Sequence, residues 1–172
     1  DMKRFEEEAT LIKDIFNVAW DSEWGNWEHL PITDAQSRHI MSELKMIIEP
    51  KLVFIVEADG RPVGFSLSFP DANQAIKQAN GHLFPFGVLK IARELKRVKR
   101  LRTMILGVLR EYRNRGIDLV LYMDTIDTGI GLGYVESDCS LIAETNTRMR
   151  AALEGIGAHI YKTYRIYSKN IG

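Results

Sequence analysis

Apolar residues recur at Phe5, Ile12, Phe16 and Ala19, flanked by Leu11 and Ile15, and this return to one side every three to four positions predicts an amphipathic helix that Gly25 interrupts. Thr33, followed three residues later by Gln36, reads as the N-cap of a second helix. Its apolar face carries Ile40, Leu44, Ile47 and Ile48 as far as Pro50. The period then changes from helical to twofold. Leu52 to Ala58 is a continuous β-branched and aromatic run, Asp59-Gly60 supplies a tight turn, and Val63, Phe65, Leu67 and Phe69 alternate with Gly64, Ser66 and Ser68. Together they predict a β-hairpin.

Residues 71–102 contain Asn73, Asn80-Gly81 and Pro85 and then a helical stretch rich in Lys and Arg, and read as an insertion. Thr103 to Leu109 predicts the next strand. A helix follows from Gly116, with Leu119, Tyr122, Met123 and Ile126 at helical spacing, and Gly131 and Gly133 end it. Tyr134 to Ala143 reads as a strand, Asn146 to Gly155 as a helix, and Ala158 to Tyr167 as a last strand with Tyr161, Thr163, Arg165 and Tyr167 on one face. The order α, α, β, β, insertion, β, α, β, α, β predicts one α/β domain over residues 1–172.

Length and composition fit that reading. The 172 residues are 45 % hydrophobic and 27 % charged, with 23 basic and 23 acidic side chains, the profile of an ordinary globular domain. No run approaches the length of a membrane span, and Cys139 is the only cysteine, so neither an intrachain disulfide nor a thiolate metal cage is expected. A reducing cytoplasm fits best. The start at Asp1 suggests a domain taken from a longer protein.

Chemistry concentrates where Leu106-Gly107-Val108 on a strand leads into Arg113-Asn114-Arg115-Gly116-Ile117-Asp118 at the start of a helix. A helix start presents unpaired backbone N–H groups and the positive end of the dipole, and a glycine there lets a phosphate come close. The spacing admits two readings: a diphosphate site, or a tight turn eased by Gly116 and flanked by solvated arginines.

This turn resembles the phosphate loop of the GNAT acyltransferase superfamily: Arg or Gln, two residues, Gly, one residue, then Gly or Ala. Asn146 ahead of a helix resembles a second GNAT signature, and the order of elements resembles that superfamily along nearly the whole chain. Asn17 to Trp20, Pro70 to Gln74, Asn80-Gly81, Leu106 to Val108 and Tyr161 to Tyr167 resemble the C-terminal half of longer bacterial GNAT-like proteins. The resemblance implies a mixed, mostly antiparallel sheet with helices on both faces and a splay between two parallel central strands, around Leu106 to Val108 and Ser137 to Leu141. It further implies acetyl-CoA or another acyl-CoA as donor and no metal. The cofactor residues it implies are Leu106, Gly107, Val108, Arg113, Asn114, Arg115, Gly116, Ile117, Asp118 and Asn146. A backbone N–H near Val108 would polarise the thioester carbonyl. Two positions depart from the pattern: Asp118 stands where Gly or Ala is usual, and Leu153 where many relatives carry a tyrosine acid.

The implied activity is transfer of an acyl group, expected to be acetyl, to a small-molecule amine or amino-acid acceptor by direct attack. Asp138 and Glu144, expected with Ser140 on one face of a strand beside the cleft, are the candidate bases, and Tyr161 is the candidate acid. A plain solvent-facing strand accounts equally for that alternation. The alternative is a GNAT-fold module that binds acyl-CoA without efficient catalysis, or a transferase using long-chain acyl-CoA or an acyl carrier protein. Ten basic residues against Glu94 and Glu111 between Lys90 and Arg115 make that segment positive. A solvated helix face accounts for it as well as any partner does; among partners, coenzyme phosphates or an acidic carrier protein suit it better than nucleic acid, since no aromatics are interleaved for base stacking. Trp20, Trp24 and Trp27 are expected to pack near the acceptor side. The four histidines lack metal-ligand spacing.

Overall fold

The computed structural model describes residues 2–20, 31–45 and 47–170. The chain forms two compact units, Asp1–Leu141 and Ile142–Gly172. In the first, helices α1 (Phe5–Ala19) and α2 (Asp34–Leu44) precede strands β1 (Val53–Ala58) and β2 (Arg61–Pro70). Helices α3 (Ala72–Lys77) and α4 (Gly87–Leu95), strand β3 (Arg100–Val108), helix α5 (Ile117–Gly131) and strand β4 (Glu136–Asp138) follow. The sheet order is β1-β2-β3-β4, antiparallel across the first three and parallel between β3 and β4.

Local chemistry accounts for the early elements. Thr33 and Gln36 form a reciprocal capping box, each side chain accepting from the other's backbone N–H, which satisfies two donors of α2. Asp59 and Gly60 both adopt positive φ, 52° and 75°, the backbone a two-residue hairpin turn requires. Helix α2 stops at Leu44, yet Ile47 and Ile48 still pack on the core as expected of them.

The two faces of β2 do different work. Val63, Phe65, Leu67 and Phe69 bury against Ile12, Ile15 and Ala19 of α1 and against Leu109, forming the main core. At about 1.5–3 kcal/mol per fully buried large apolar side chain, this face supplies most of the drive to close the unit. The alternate residues Ser66 and Ser68 are also buried, at 1 % and 0 % exposure, because α5 covers that face and its Thr125 hydroxyl lies 3.4 Å from that of Ser66. Small side chains let the helix approach closely. Alternation in β2 therefore separates a large-residue face from a small-residue face, both buried.

Three expectations change. Residues 71–102 hold α3 and α4 packed on each other, but their last three residues belong to β3, where Leu101 is buried against α5 beside Gly129. The strand expected over 134–143 is three residues long. The strand expected over 158–167 is not formed: among the described residues no ladder includes it, and Tyr161, Tyr164 and Tyr167 are all exposed, so none is core. Twofold alternation is necessary for a half-buried strand, but ladder hydrogen bonds come from a neighbour, which the pattern does not specify. In the second unit, helix α6 (Thr147–Gly155) is capped by Asn146, whose side chain accepts from Met149 N–H at 3.2 Å.

Gly107 is opposite Phe65 in the ladder, and a Cβ added there would fall 2.9 Å from Phe65 Cε1. Replacing Gly107 with Ala should destabilise the fold by about 1–3 kcal/mol through overpacking. Denaturant titration checks this, and a paired Phe65→Leu change should recover part of the loss.

Candidate functional site

Strand β3 pairs with β4 only at Arg100↔Glu136, Leu101↔Ser137 and Arg102↔Asp138. It then runs on to Val108 with β2 on its other side. Leu109 N–H donates to Val63 O at 2.9 Å, so alternation along the strand turns the amides of Leu106 and Val108 away from β2, toward the side that β4 has left. The parallel ladder thus ends with β4 at Asp138, and the edge of β3 beyond it carries the expected Leu106 and Val108. Gly107, between them, points its backbone groups at β2; the space above its Cα is filled by the Phe65 ring.

The chain leaves that edge through a short 3₁₀ turn, Arg110–Tyr112, and enters α5 through Asn114 (φ 63°) and Gly116 (φ 78°). The first α5 amide with an acceptor from the helix is Val120, bonded to Gly116 O at 3.1 Å. The N–H groups of Ile117, Asp118 and Leu119 therefore lie at the positive helix end without helical acceptors. A Cβ at Gly116 would meet no atom within 4 Å, so the approach to them is open. The expected donor set was wider, starting at Arg113, but Arg113 N–H already donates to Arg110 O at 3.3 Å.

The two loop arginines have different surroundings. Arg113 turns inward: its Nε donates to Val108 O at 3.1 Å and its Nη2 to Ala19 O at 2.6 Å, tying the end of β3 to the end of α1. It acts as a brace for the loop. Arg115 is exposed, its guanidinium 5.1 Å from the Tyr112 ring centroid, and Asp118 is also exposed. At the far side of α1, Asn17 exchanges two hydrogen bonds with the backbone of Ile32, at 2.8 and 3.0 Å. Trp20 stacks on Phe16 at 5.3 Å; Trp24 and Trp27 lie outside the described residues.

Where the ladder ends lies a polar chain that alternation alone did not mark. Ser68 Oγ donates to Thr103 Oγ1 at 3.0 Å, and Thr103 Oγ1 is 3.0 Å from Ser137 Oγ. Burial pushes the Cys139 thiol up despite its hydrogen bonds to the Ser137 and Thr103 side chains. Tyr122 is buried on α5, and desolvation, with the charges of Asp118 and Cys139 adding, pushes its phenol up to about 12. Of the residues expected at helical spacing on this helix, only Tyr122 is buried, with Leu121, Thr125 and Gly129, while Leu119, Met123 and Ile126 are exposed.

The predicted acid and base residues are not gathered on one strand. Asp138 is the last residue of β4, half-buried, where the ladder with β3 ends. Ser140 lies beyond the strand. Glu144 sits in a turn of the second unit, 3.4 Å from Arg165 and with its carbonyl accepting from Arg150. Tyr161, in the same unit, is exposed beside Lys162, whose ammonium lies 5.3 Å from the ring centroid. The missing strand removes the shared face that would have aligned them. Leu153, where many GNAT relatives carry a tyrosine, is buried. Among the described residues no cluster of three metal-ligating side chains occurs.

No protein-family model matches the chain. It is 34 % identical over 175 residues to a bacterial ceramide synthase from Caulobacter vibrioides, covering 98 % of this chain and 45 % of that protein. It is 35 % identical to protein YghO of Escherichia coli, covering 98 % and 44 %. The chain thus spans just under half the length of the curated relatives it matches. Among solved structures it is similar to the aminoglycoside N-acetyltransferase AAC(6')-Iy in complex with a CoA bisubstrate analogue, with a TM-score of 0.57, 18 % identity and coverage of 98 % of this chain and 92 % of that one. It is also similar to a Drosophila melanogaster polyamine N-acetyltransferase, with a TM-score of 0.54, 16 % identity and coverage of 91 % and 79 %. What this chain shares with both is the GNAT fold.

Two measurements follow from this geometry. Arg113→Ala should cost about 1.5–3 kcal/mol of stability in thermal or denaturant unfolding, since it removes charge-assisted bonds to two backbone carbonyls. For Tyr122 the folded state holds its proton more tightly than the unfolded state. The contribution is therefore fully present below pH 10 and lost as pH rises toward 12, a fall of about 2–3 kcal/mol. Tyr122→Phe should flatten that alkaline limb in unfolding curves recorded between pH 9 and 12.

Proposed function

We propose that this chain binds an acyl-CoA along the open edge of β3 and transfers its acyl group to an amine by direct attack. The observation that carries this reading is the end of the β3–β4 ladder at Asp138, which leaves the outer edge of β3 without a strand partner, together with the uncapped start of α5. The strand edge offers backbone groups to the amides of pantetheine. The amides of Ile117, Asp118 and Leu119 face the place a pyrophosphate would take, with Arg115 beside them. The CoA complex of a protein with the same fold supports acyl-CoA as the donor.

In this reading Val108 N–H donates to the thioester carbonyl oxygen and stabilises the oxyanion as the amine nitrogen bonds to the carbonyl carbon. The carbon–sulfur bond then breaks, leaving an amide and a CoA thiolate that takes up a proton. Asp138, the last residue of β4, is the proposed base for the amine proton. The thiolate takes its proton from water; the Tyr122 phenol, pushed up by burial, is too weak an acid to supply it. The Cys139 thiol is held protonated and is a poor nucleophile, which favours direct transfer over a cysteine-bound intermediate.

The similarity to a ceramide synthase favours a particular acceptor and donor class. A ceramide is an amide of a long-chain amino alcohol and a fatty acid. A long acyl-CoA and an amphiphilic primary amine are therefore preferred over acetyl-CoA and a small polar amine.

Thermal-shift titration with CoA, acetyl-CoA and palmitoyl-CoA tests the binding step. A ligand at 100 times its Kd should add about 2.7 kcal/mol of stability. Gly116→Trp, which fills the approach to the helix start, should abolish the shift while leaving the unliganded transition cooperative. In a thiol-release assay with an amine panel, Asp138→Asn should lower the rate about 10²-fold or more with CoA affinity nearly unchanged. Stabilisation by CoA without thiol release from any amine would replace the enzyme reading with a binding module. No stabilisation by any of the three would remove both.

A further inference from the structure

A surface formed by α4 and the turn before it carries chemistry that the proposed acyl transfer does not use. Helix α4 turns Gly87, Ile91 and Leu95 toward its packed side and leaves Val88 and Leu89 exposed. The turn before it displays Phe84 and Phe86. Their exposures of 83 % and 73 %, with 69 % for Leu89, are unusual for side chains that would gain several kcal/mol by leaving water.

The display is built. A Cβ at Gly87 would fall 1.8 Å from His82 O, so only glycine permits this turn, and Val88 N–H closes it by donating to Leu83 O at 3.1 Å. Around the apolar tip stand Lys90, Arg93 and Lys96, none of which has an ion partner among the described residues; Arg97 is paired with Glu94 at 3.1 Å.

We propose that the Phe84–Phe86 turn and α4 form a peripheral docking surface for an anionic lipid bilayer. The phenylalanines and Leu89 enter the region between headgroups and acyl chains, and Lys90, Arg93 and Lys96 meet lipid phosphates. This division of labour is the signature of an interfacial amphipathic segment. Adjacent exposed phenylalanines and unpaired cations complement the two layers of an anionic bilayer surface, acyl chains and phosphates, and vesicle flotation separates this occupant from an acidic carrier protein. No helix among the described residues is long and apolar enough to cross a membrane, so attachment through this surface is to one leaflet. The proposal is independent of whether the chain transfers acyl groups.

Flotation of the full chain with vesicles of phosphatidylcholine alone, or with about 30 % phosphatidylglycerol, is the test. The chain should float with the anionic vesicles and be released by added salt. Phe84→Ser with Phe86→Ser, and separately Lys90→Glu with Arg93→Glu and Lys96→Glu, should each weaken partitioning about tenfold or more. Both sets change exposed side chains, and unaltered melting curves confirm folding. If the chain stays in the aqueous phase with both vesicles, or the folded variants float as the parent does, the proposal is wrong. Binding of an acidic carrier protein through the same cations without vesicle binding would also overturn it.

Discussion

The account rests on one constraint: a β-strand must satisfy its backbone on both edges, and β3 has a strand partner on its second edge for only its first three residues. Beyond Arg102 no strand among the described residues pairs with the edge facing away from β2; Arg113 Nε donates to the Val108 carbonyl, and the outward amides of Leu106 and Val108 are left for a ligand. An extended ligand with its own amides is a natural complement, because main-chain hydrogen bonds are largely indifferent to side-chain identity. The same principle lets peptides add a strand to an exposed sheet edge.

The rest of the unit holds that edge in place. The large-residue face of β2 anchors α1, while the small-residue face admits α5 close to the sheet, and the two helices clamp β3 through its neighbour. Arg113 then bonds the ends of β3 and α1 through two carbonyls. A residue read as a ligand for phosphate is in the structure a brace that sets where the helix start lies relative to the strand edge. The buried hydroxyls of Ser68 and Thr103 and the exposed hydroxyl of Ser137 form a chain of hydrogen bonds that fastens β4 to β3 where their ladder ends.

Features set by near neighbours were legible in the sequence. The capping box of Thr33 and Gln36, the Asp59-Gly60 turn and the start of α5 at Gly116 each follow from a few consecutive residues. The end of the β3–β4 ladder was expected only through resemblance, since no local pattern encodes where a parallel ladder stops. What failed depended on distant partners. The residues around Tyr161 have the alternation of a strand but no ladder, and Ser66 and Ser68 read as an outer face until α5 covers them. Glu144 does not share a strand face with Asp138, because the strand expected to carry both ends at residue 138. The spacing on α5 grouped Tyr122 with Leu119, Met123 and Ile126, which are exposed; its buried neighbours are Leu121 and Thr125, and its nearness to Cys139 depends on the fold.

The central claim, that the outward amides of β3 and the first turn of α5 together hold the coenzyme, is tested most directly by residue-resolved amide hydrogen exchange with and without CoA. The account predicts new protection at Leu106, Val108, Ile117 and Asp118, with the β1–β2 hairpin amides unchanged. Saturating CoA that leaves Leu106 and Val108 exchanging at their unliganded rates, or that protects residues elsewhere in their place, would contradict it.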